Sequence, residues 1–452
     1  MRSRRGMGWL GLVLSGVVLA ASATAGSADA AAASEAGPVA TSSDVSAVSP
    51  TVASAVSRMI VPASDARVIL NRMSEAQRIG QLFMVGGTAT GVGSSTLSAI
   101  SSYHVGNVIL TGRSAEGVSH TRSVTNGLQA RATLSATLGV PLFVGTDQEG
   151  GYVQVLSGSG FSTIPRALTQ GTWTTSRLKA SAFSWAGQLQ AAGVNLNLAP
   201  VMDTVPTGAV NPPIGYYYRE YGHTTAVVGP HGTAFGEGMA QAGVAATVKH
   251  FPGLGRVDAN TDTNSGVTDY VTTYNDAYLG PFKTAIQAGA PFAMMSLAYY
   301  HRIDATHPAA FSSTIIGGML RGEMGFKGVV ISDDLGSAKQ VAAWSPGDRA
   351  IDFISAGGDM VLTVAPSVIP AMVHAVTAKA ASSSSFRAKI DAAALLVLQA
   401  KQAQGLIGNA EFPGDYNGDG KTDLAVWRPS TGTWFVHGIY TTQWGQPGDI
   451  PV

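Results

Sequence analysis

The sequence predicts an α/β fold of the (β/α)8 barrel kind, and three observations carry that prediction. Short apolar runs alternate with longer helical stretches, no hairpin signal joins consecutive runs, and the alternation repeats eight times. The runs lie at 82–85, 108–110, 141–144, 196–200, 245–248, 292–295, 328–331 and 360–364. Strand followed by helix without reversal argues a parallel sheet. A parallel barrel usually needs about 250 residues, and more with insertions. A doubly wound open sheet is the structural rival. It usually has fewer strands and a glycine-rich phosphate turn after the first of them. Gly86-Gly87-Thr88-Ala89-Thr90-Gly91 follows the first run but opens no predicted helix, so it fits that turn poorly.

Composition bounds the rest. The 452 residues are 45% hydrophobic and 12% charged, enough for one large core plus extra pieces. Lys+Arg and Asp+Glu are both 28 and no basic stripe is present, which argues against nucleic acid as a partner. The cysteine count is 0, so disulfides and thiolate metal sites are excluded.

Residues 1–30 read as an export signal. Arg2, Arg4 and Arg5 form a basic start, residues 9–21 are apolar, and Ala23-Thr24-Ala25 or Ala28-Asp29-Ala30 offers a small-residue cleavage site. As a membrane anchor the apolar run is short, since a span needs about 20 residues. The expectation is a secreted protein with no stable membrane insertion after cleavage. Residues 31–63 are Ala, Ser, Val and Thr with Pro38, Pro50 and Pro62, and read as a flexible linker.

The barrel is predicted over 64–408. A helix begins near Ser64 and Asp65, and Ser74 followed by Gln77 predicts a capping box. Between the strands, helices are predicted at 174–192, 224–242, 272–288 and 312–323. Helices at 367–379 and 386–404 close the barrel, with Gly405 and Gly408 ending them.

The chemistry is predicted at the strand ends. Asp147 follows the third run, Asp203 the fourth, Lys249 and His250 the fifth, Ser296 the sixth, and Asp333 with Asp334 the seventh. In a barrel these ends converge on one mouth, so polar residues far apart in sequence would meet in one pocket. Pro252, Gly253 and Gly255 stop the fifth strand, and the loop after it carries Asp258, Asn260 and Asp262. Adjacent strand side chains alternate, so one of Asp333 and Asp334 can face the pocket while the other makes supporting hydrogen bonds. A metal centre is disfavoured: there is no His-x-x-x-His, no thiolate and no carboxylate cluster of metal spacing. No Gly-x-Ser-x-Gly elbow supports a serine hydrolase. Carboxyl groups from different strands are what glycosidic bond cleavage needs, one attacking the sugar and one protonating the leaving oxygen.

Four motifs then match a known family. Thr146-Asp147-Gln148-Glu149-Gly150-Gly151, Asn197-Leu198-Ala199-Pro200-Val201-Met202-Asp203, Lys249-His250-Phe251-Pro252-Gly253 and Ser332-Asp333-Asp334-Leu335 together resemble glycoside hydrolase family 3, in its single-barrel β-N-acetylhexosaminidase branch. The segment 320–328 before the seventh strand also resembles it. The resemblance covers about 65–405. It implies Asp333 as the nucleophile of a retaining mechanism. It also implies Asp147, Arg219, Lys249 and His250 as sugar-binding residues, and a glycan substrate such as a peptidoglycan or chitin fragment. No metal or organic cofactor is implied for catalysis. A broader β-glycosidase and a non-catalytic wall-associated binding protein are the alternative readings. The larger members of the family carry a second α/β domain, and this chain has no segment for one.

Two departures qualify the match. The branch usually carries Asp-x-His after the fifth strand, where this chain has Asn260-Thr261-Asp262. Asp262 is therefore the candidate acid/base and Asp258 the second choice. Tyr152 and Val155 stand where the family often has arginines, so a contact to an anionic substrate group is in question. His301 and His307 read as surface-loop histidines.

Residues 409–452 are a separate piece, rich in Gly, Trp and Thr. Asp415, Asn417, Asp419 and Asp423 place oxygen ligands around a glycine turn, a pattern that suits calcium. An EF-hand would want Glu where Val426 stands. The piece resembles one partial repeat of the integrin-type propeller family, with short strands at 424–427 and 433–437.

Overall fold

A computed structural model describes residues 64–407, the strand segments 425–428, 433–436 and 440–443, and the turn residues 430–431. The predicted export signal and linker lie outside the described residues, as do Gly408 and the predicted calcium ligands Asp415, Asn417, Asp419 and Asp423.

Eight parallel strands form the barrel: β1 (Phe83–Thr88), β2 (Asn107–Thr111), β3 (Phe143–Thr146), β4 (Leu196–Asn197), β5 (Ala245–Phe251), β6 (Phe292–Met295), β7 (Val329–Ser332) and β8 (Val361–Thr363). Each pairs with its predecessor, and β8 returns to β1 with Phe83 opposite Val361. A single parallel bridge, Ile331 to Met360, joins β7 to β8 and closes the ring. Every predicted run holds a strand. Two bounds moved for physical reasons. β4 is short because Pro200 interrupts it, and the strand direction resumes only where Val201 bridges Lys249. β5 runs on through Lys249 and His250 to Phe251, because those side chains find charged partners at the mouth.

Period-two alternation sorts the strand residues. Met84, Ile109, Phe143, Phe292, Met294, Val329 and Ile331 fill the barrel interior, with Phe143 and Phe292 meeting edge to face at 5.4 Å. Their neighbours Phe83, Val85, Val144, Ala293 and Val330 point outward into the larger core beneath the helices. The interior is therefore packed, and a ligand can enter only at an end.

The helices follow the prediction with one exception. Ser74 and Gln77 make both bonds of the capping box at the start of Glu75–Gln81. Helices Thr175–Ala191 and Thr225–Gln241 pack against each other outside β4 and β5. The stretch predicted helical at 272–288 is helical only from Ala277, as a tight turn and then Gly280–Gln287. Asp269 accepts from Val271 N and Thr272 N, and Asp276 accepts from Tyr278 N. These side chains offer the backbone a turn in place of the first helical bonds. The closing helix Ser384–Ala403 sends Val397 and Lys401 against the lower end of the barrel, where Lys401 Nζ donates to Gln81 Oε1 at 2.8 Å and Gly106 O at 2.9 Å.

In the C-terminal piece, Ala425–Arg428, Thr433–Val436 and Tyr440–Gln443 form an antiparallel three-stranded sheet, with Trp427 opposite Trp434.

Candidate active site

The site is assembled at the upper end, from the residues that follow β3, β4, β5 and β7. Asp147 comes directly after β3, and Glu149 lies in the short strand Gln148–Gly150 that folds back on Val153–Gln154. Asn197 at the end of β4 grips this loop twice: its Oδ1 accepts from Gln148 N at 3.0 Å and its Nδ2 donates to Gln148 O at 3.1 Å. The loop must turn sharply at Gly151, whose φ is +58° and where a Cβ would sit 2.6 Å from Arg166 Cβ.

Lys249 is the centre of charge. It is 2% exposed, and its Nζ lies 2.7 Å from Asp147 Oδ1 and 2.7 Å from Glu149 Oε1. Burial works to lower its pKa, but the two carboxylates outweigh that and raise it. Arg219 holds the far side of Glu149 with a two-pronged contact, Nε to Oε2 at 2.9 Å and Nη2 to Oε1 at 2.8 Å. Burial by itself would raise the Glu149 pKa; Arg219 and then Lys249 reverse this and bring it to about 2. Two cations and two carboxylates thus form one fixed array.

His250 belongs to a second array. Its Nδ1 lies 2.7 Å from Asp203 Oδ2, while Asp203 Oδ1 accepts from His250 N and from Leu254 N. Asp203 therefore fixes the imidazole ring and the loop beyond it, leaving Nε2 turned toward Arg219 at 3.5 Å. Adjacent strand residues ordinarily face opposite sides, yet Lys249 and His250 both reach the mouth. The peptide between them is cis. Gly255 completes the turn; a Cβ there would sit 1.9 Å from Thr204 O.

Asp333 stands one residue beyond β7. Its carboxyl is pushed up to about 6, first by burial and then by the nearby charge of Asp262, with His250 and the Asp334 N–H pulling the other way. Asp334 takes no such position. Its oxygens accept from Gly336 N, Ser337 N and Val364 N, which pins the loop.

The charge of Asp262 acts on Asp333 because the Asp262 loop is docked on the loop after β7. Lys339 N donates to Asp262 O and Gln340 N to Thr261 O, while the Gln340 side chain bonds both backbone groups of Val267. Asn260 accepts from Asp262 N at 2.9 Å and shapes the turn. Asp262 raises the pKa of both Asp333 and Asp334, and its side chain is exposed, open to a substrate group. Asp258 is also exposed. Ser296 is fully buried and accepts from Ala298 N and Tyr300 Oη, a role in the wall. His301 and His307 are exposed; His307 pairs with Asp304. Among the described residues no cluster of three or more His, Cys, Asp or Glu could hold a metal ion. The arrangement offers fixed cations and acceptors around one position, beside two carboxyl groups of unlike surroundings.

The sequence matches the glycosyl hydrolase family 3 N-terminal domain across residues 75–400. The chain belongs to glycosyl hydrolase family 3. A β-hexosaminidase of Stenotrophomonas maltophilia is 34% identical over 272 residues, covering 58% of this chain and 79% of that one. The crystal structure of a β-N-acetylhexosaminidase from Beutenbergia cavernae matches with a TM-score of 0.72 at 53% identity, over 73% of this chain and 99% of the other. A family 3 β-N-acetylglucosaminidase from Paenibacillus gives 0.68 at 30% identity, over 74% and 63%.

Within this family 3 barrel, Asp147, Arg219, Lys249, His250, Asp262 and Asp333 all come to the mouth. Sequence reasoning passed over Glu149 and gave Asp203 no task. Glu149 is two residues after Asp147, and on a strand that spacing puts both on one face. Asp203 was visible as a strand-end acid, but its pairing with His250 spans 47 residues and appears only in three dimensions.

Proposed function

We propose that this glycoside hydrolase, a β-N-acetylhexosaminidase, removes terminal β-linked N-acetylglucosamine from cell-wall or chitin-type glycans by a retaining route. The observation that carries the reading is Asp333 one residue beyond β7, its carboxyl buried and within reach of the charges of His250 and Asp262. Asp333 attacks the anomeric carbon and forms a glycosyl ester as the glycosidic bond breaks. The protonated form of Asp262 gives its proton to the departing oxygen and is left as the carboxylate. Asp262 then takes a proton from water, which attacks the same carbon and releases Asp333. Lys249 and Asp147 face the sugar hydroxyls, Arg219 keeps Glu149 and Lys249 in place, and Asp203 orients His250.

The assay compares aryl N-acetylglucosaminide with aryl glucoside; a faster rate on the glucoside overturns the sugar assignment. For Asp262, the alanine variant is assayed on leaving groups of high and low pKa. Loss should grow by about 10²-fold from the good to the poor leaving group. Equal loss on both removes Asp262 from proton transfer, and the same series on Asp258→Ala decides the second choice.

The route uses no metal or organic cofactor. Export by residues 1–30 and calcium at Asp415, Asn417, Asp419 and Asp423 are separate proposals resting on the sequence. N-terminal sequencing of secreted protein tests the first. Calorimetric titration of the full chain with millimolar calcium tests the second, and absence of heat rejects it. Among the described residues no helix is long and apolar enough to cross a membrane.

A further inference from the structure

The segment that delivers Arg219 to the mouth has a second face. Arg219 turns inward to Glu149, while its neighbours Tyr218 and Glu220 line a separate groove of about 370 Å³. Val205, Pro206, Val210 and Tyr216 form much of the remaining wall. The volume is at the lower end of ligand-pocket sizes and admits a sugar ring. The groove is preformed. Asn211 accepts from Ile214 N and Gly215 N, and donates to Leu254 O at 2.7 Å and Val257 O at 2.9 Å. It thereby ties the groove to the loop that leads from His250 to Asp262.

Two independent features call for a ligand. Tyr216 is 74% exposed and Val210 81%, an apolar surface that folding has left in water. Glu220 is 2% exposed and its Oε2 has no hydrogen-bond partner among the described residues. Burial raises its pKa, as expected for a carboxyl short of donors. An aromatic face beside an unmet acceptor suits a pyranose, whose ring presents C–H groups on its face and O–H and amide N–H groups at its edge. The lining holds no lysine or arginine, and its histidine, His223, is engaged through Nδ1 with Val205 O at 3.1 Å. Arg166 stacks on the Tyr218 ring at 4.2 Å and does not line the groove. Tyr218 also stacks on Tyr152, three residues from Glu149, so the aromatic surface is continuous with the loops that build the mouth.

Resting on the hexosaminidase reading, we propose that the groove lined by Tyr216, Tyr218 and Glu220 binds a further uncharged N-acetylhexosamine unit of the glycan whose terminal unit occupies the mouth. A carboxylate-bearing unit is disfavoured there, because Glu220 would face it with no lysine or arginine in the lining to offset the repulsion.

The test is kinetic, on the full chain. Rates are measured on aryl N-acetylglucosaminide, on N-acetylglucosamine oligomers of two to four units, and on a disaccharide carrying a muramyl unit. Tyr216→Ala should lower kcat/KM on the longest oligomer about five- to tenfold, mainly through KM, and change the aryl substrate by less than about twofold. Tyr216 is exposed, so the variant should fold; Glu220→Gln, which keeps the shape, should weaken the preference for the uncharged oligomer over the muramyl disaccharide. The same chain-length profile in wild type and Tyr216→Ala overturns the proposal. So does a wild-type preference for the muramyl substrate that neither variant alters. If no N-acetylglucosaminide of any length is hydrolysed, the hexosaminidase reading fails instead. The groove is then judged by calorimetric titration with the trisaccharide: binding lost in Tyr216→Ala sustains it, and equal binding overturns it.

Discussion

Lys249 and Lys401 are buried to nearly the same depth, at 2% and 0% exposure, at opposite ends of one barrel. At the upper end Lys249 meets Asp147 and Glu149, and its pKa is raised. At the lower end, among the described residues, Lys401 meets the neutral acceptors Gln81 Oε1 and Gly106 O and lies 5.7 Å from the Phe143 ring centre, and burial lowers its pKa to about 7. The same side chain therefore holds a permanent charge in one place and can lose it in the other. Burial is common to both, so the carboxylates make the difference. The charged end can bind and polarise a sugar. The neutral end is a plug, closed by a helix that needs a long side chain with a donor tip.

Four measurements test this contrast, beginning with the largest expected effect. Asp333→Asn should lower kcat by roughly 10⁴-fold or more while the melting temperature stays close to wild type. A small loss of rate would break the assignment of the upper end to chemistry. Lys249→Met should cost about 3 kcal/mol in chemical denaturation. That is the low end of the range for a broken buried pair, because Glu149 keeps Arg219 and the Asp147 side chain is 31% exposed. Little change would mean that the carboxylates do not need their cation.

Lys401→Met sharpens the other half. Between about pH 7 and the ordinary lysine value of 10.5, folded Lys401 is neutral and the unfolded chain's lysine is protonated. The unfolded state then binds more protons, so wild-type stability rises with pH across that window, by up to about 1.4 kcal/mol per unit from this group. The stability difference between wild type and Lys401→Met should therefore move in favour of wild type from pH 7 to 9. Parallel profiles would show Lys401 charged in the fold.

The smallest effect concerns the pH profile. Asp333 must be ionised to attack, so on a leaving group that needs no proton kcat/KM should rise with pH through about 6. Asp262→Asn, assayed on a leaving group that needs no proton, should shift that limb to lower pH by less than about one unit, because one charge raising Asp333 is gone. A limb that stays in place would separate the two groups.

Much of this was readable in the residues, and the limits have physical causes. The eight strands were legible because apolar runs bounded by Gly, Pro and polar residues have few other uses. The helix predicted at 272–288 was misread because Asp269 and Asp276 bond locally and compete with helical bonds. Strand alternation alone left Asp333 and Asp334 open and only the family resemblance pointed to Asp333; the task of Asp334 became visible with the backbone N–H groups of Gly336, Ser337 and Val364 around it. The tyrosine-lined groove had no motif of its own, since its walls come from Leu168 and from a long loop whose shape depends on Asn211.

The sequence by itself determined the barrel, the identity of the strand-end residues and the membership of family 3. These follow from periodicity and from short motifs, both local in the chain. Only the tertiary structure decided which carboxylates share a cation, which acid stands beside Asp333, and which lysine keeps its charge. Those outcomes depend on burial and on distances between residues up to 320 positions apart. Electrostatic energy varies with separation in space and with the dielectric around the pair, and neither is written in the order of the residues.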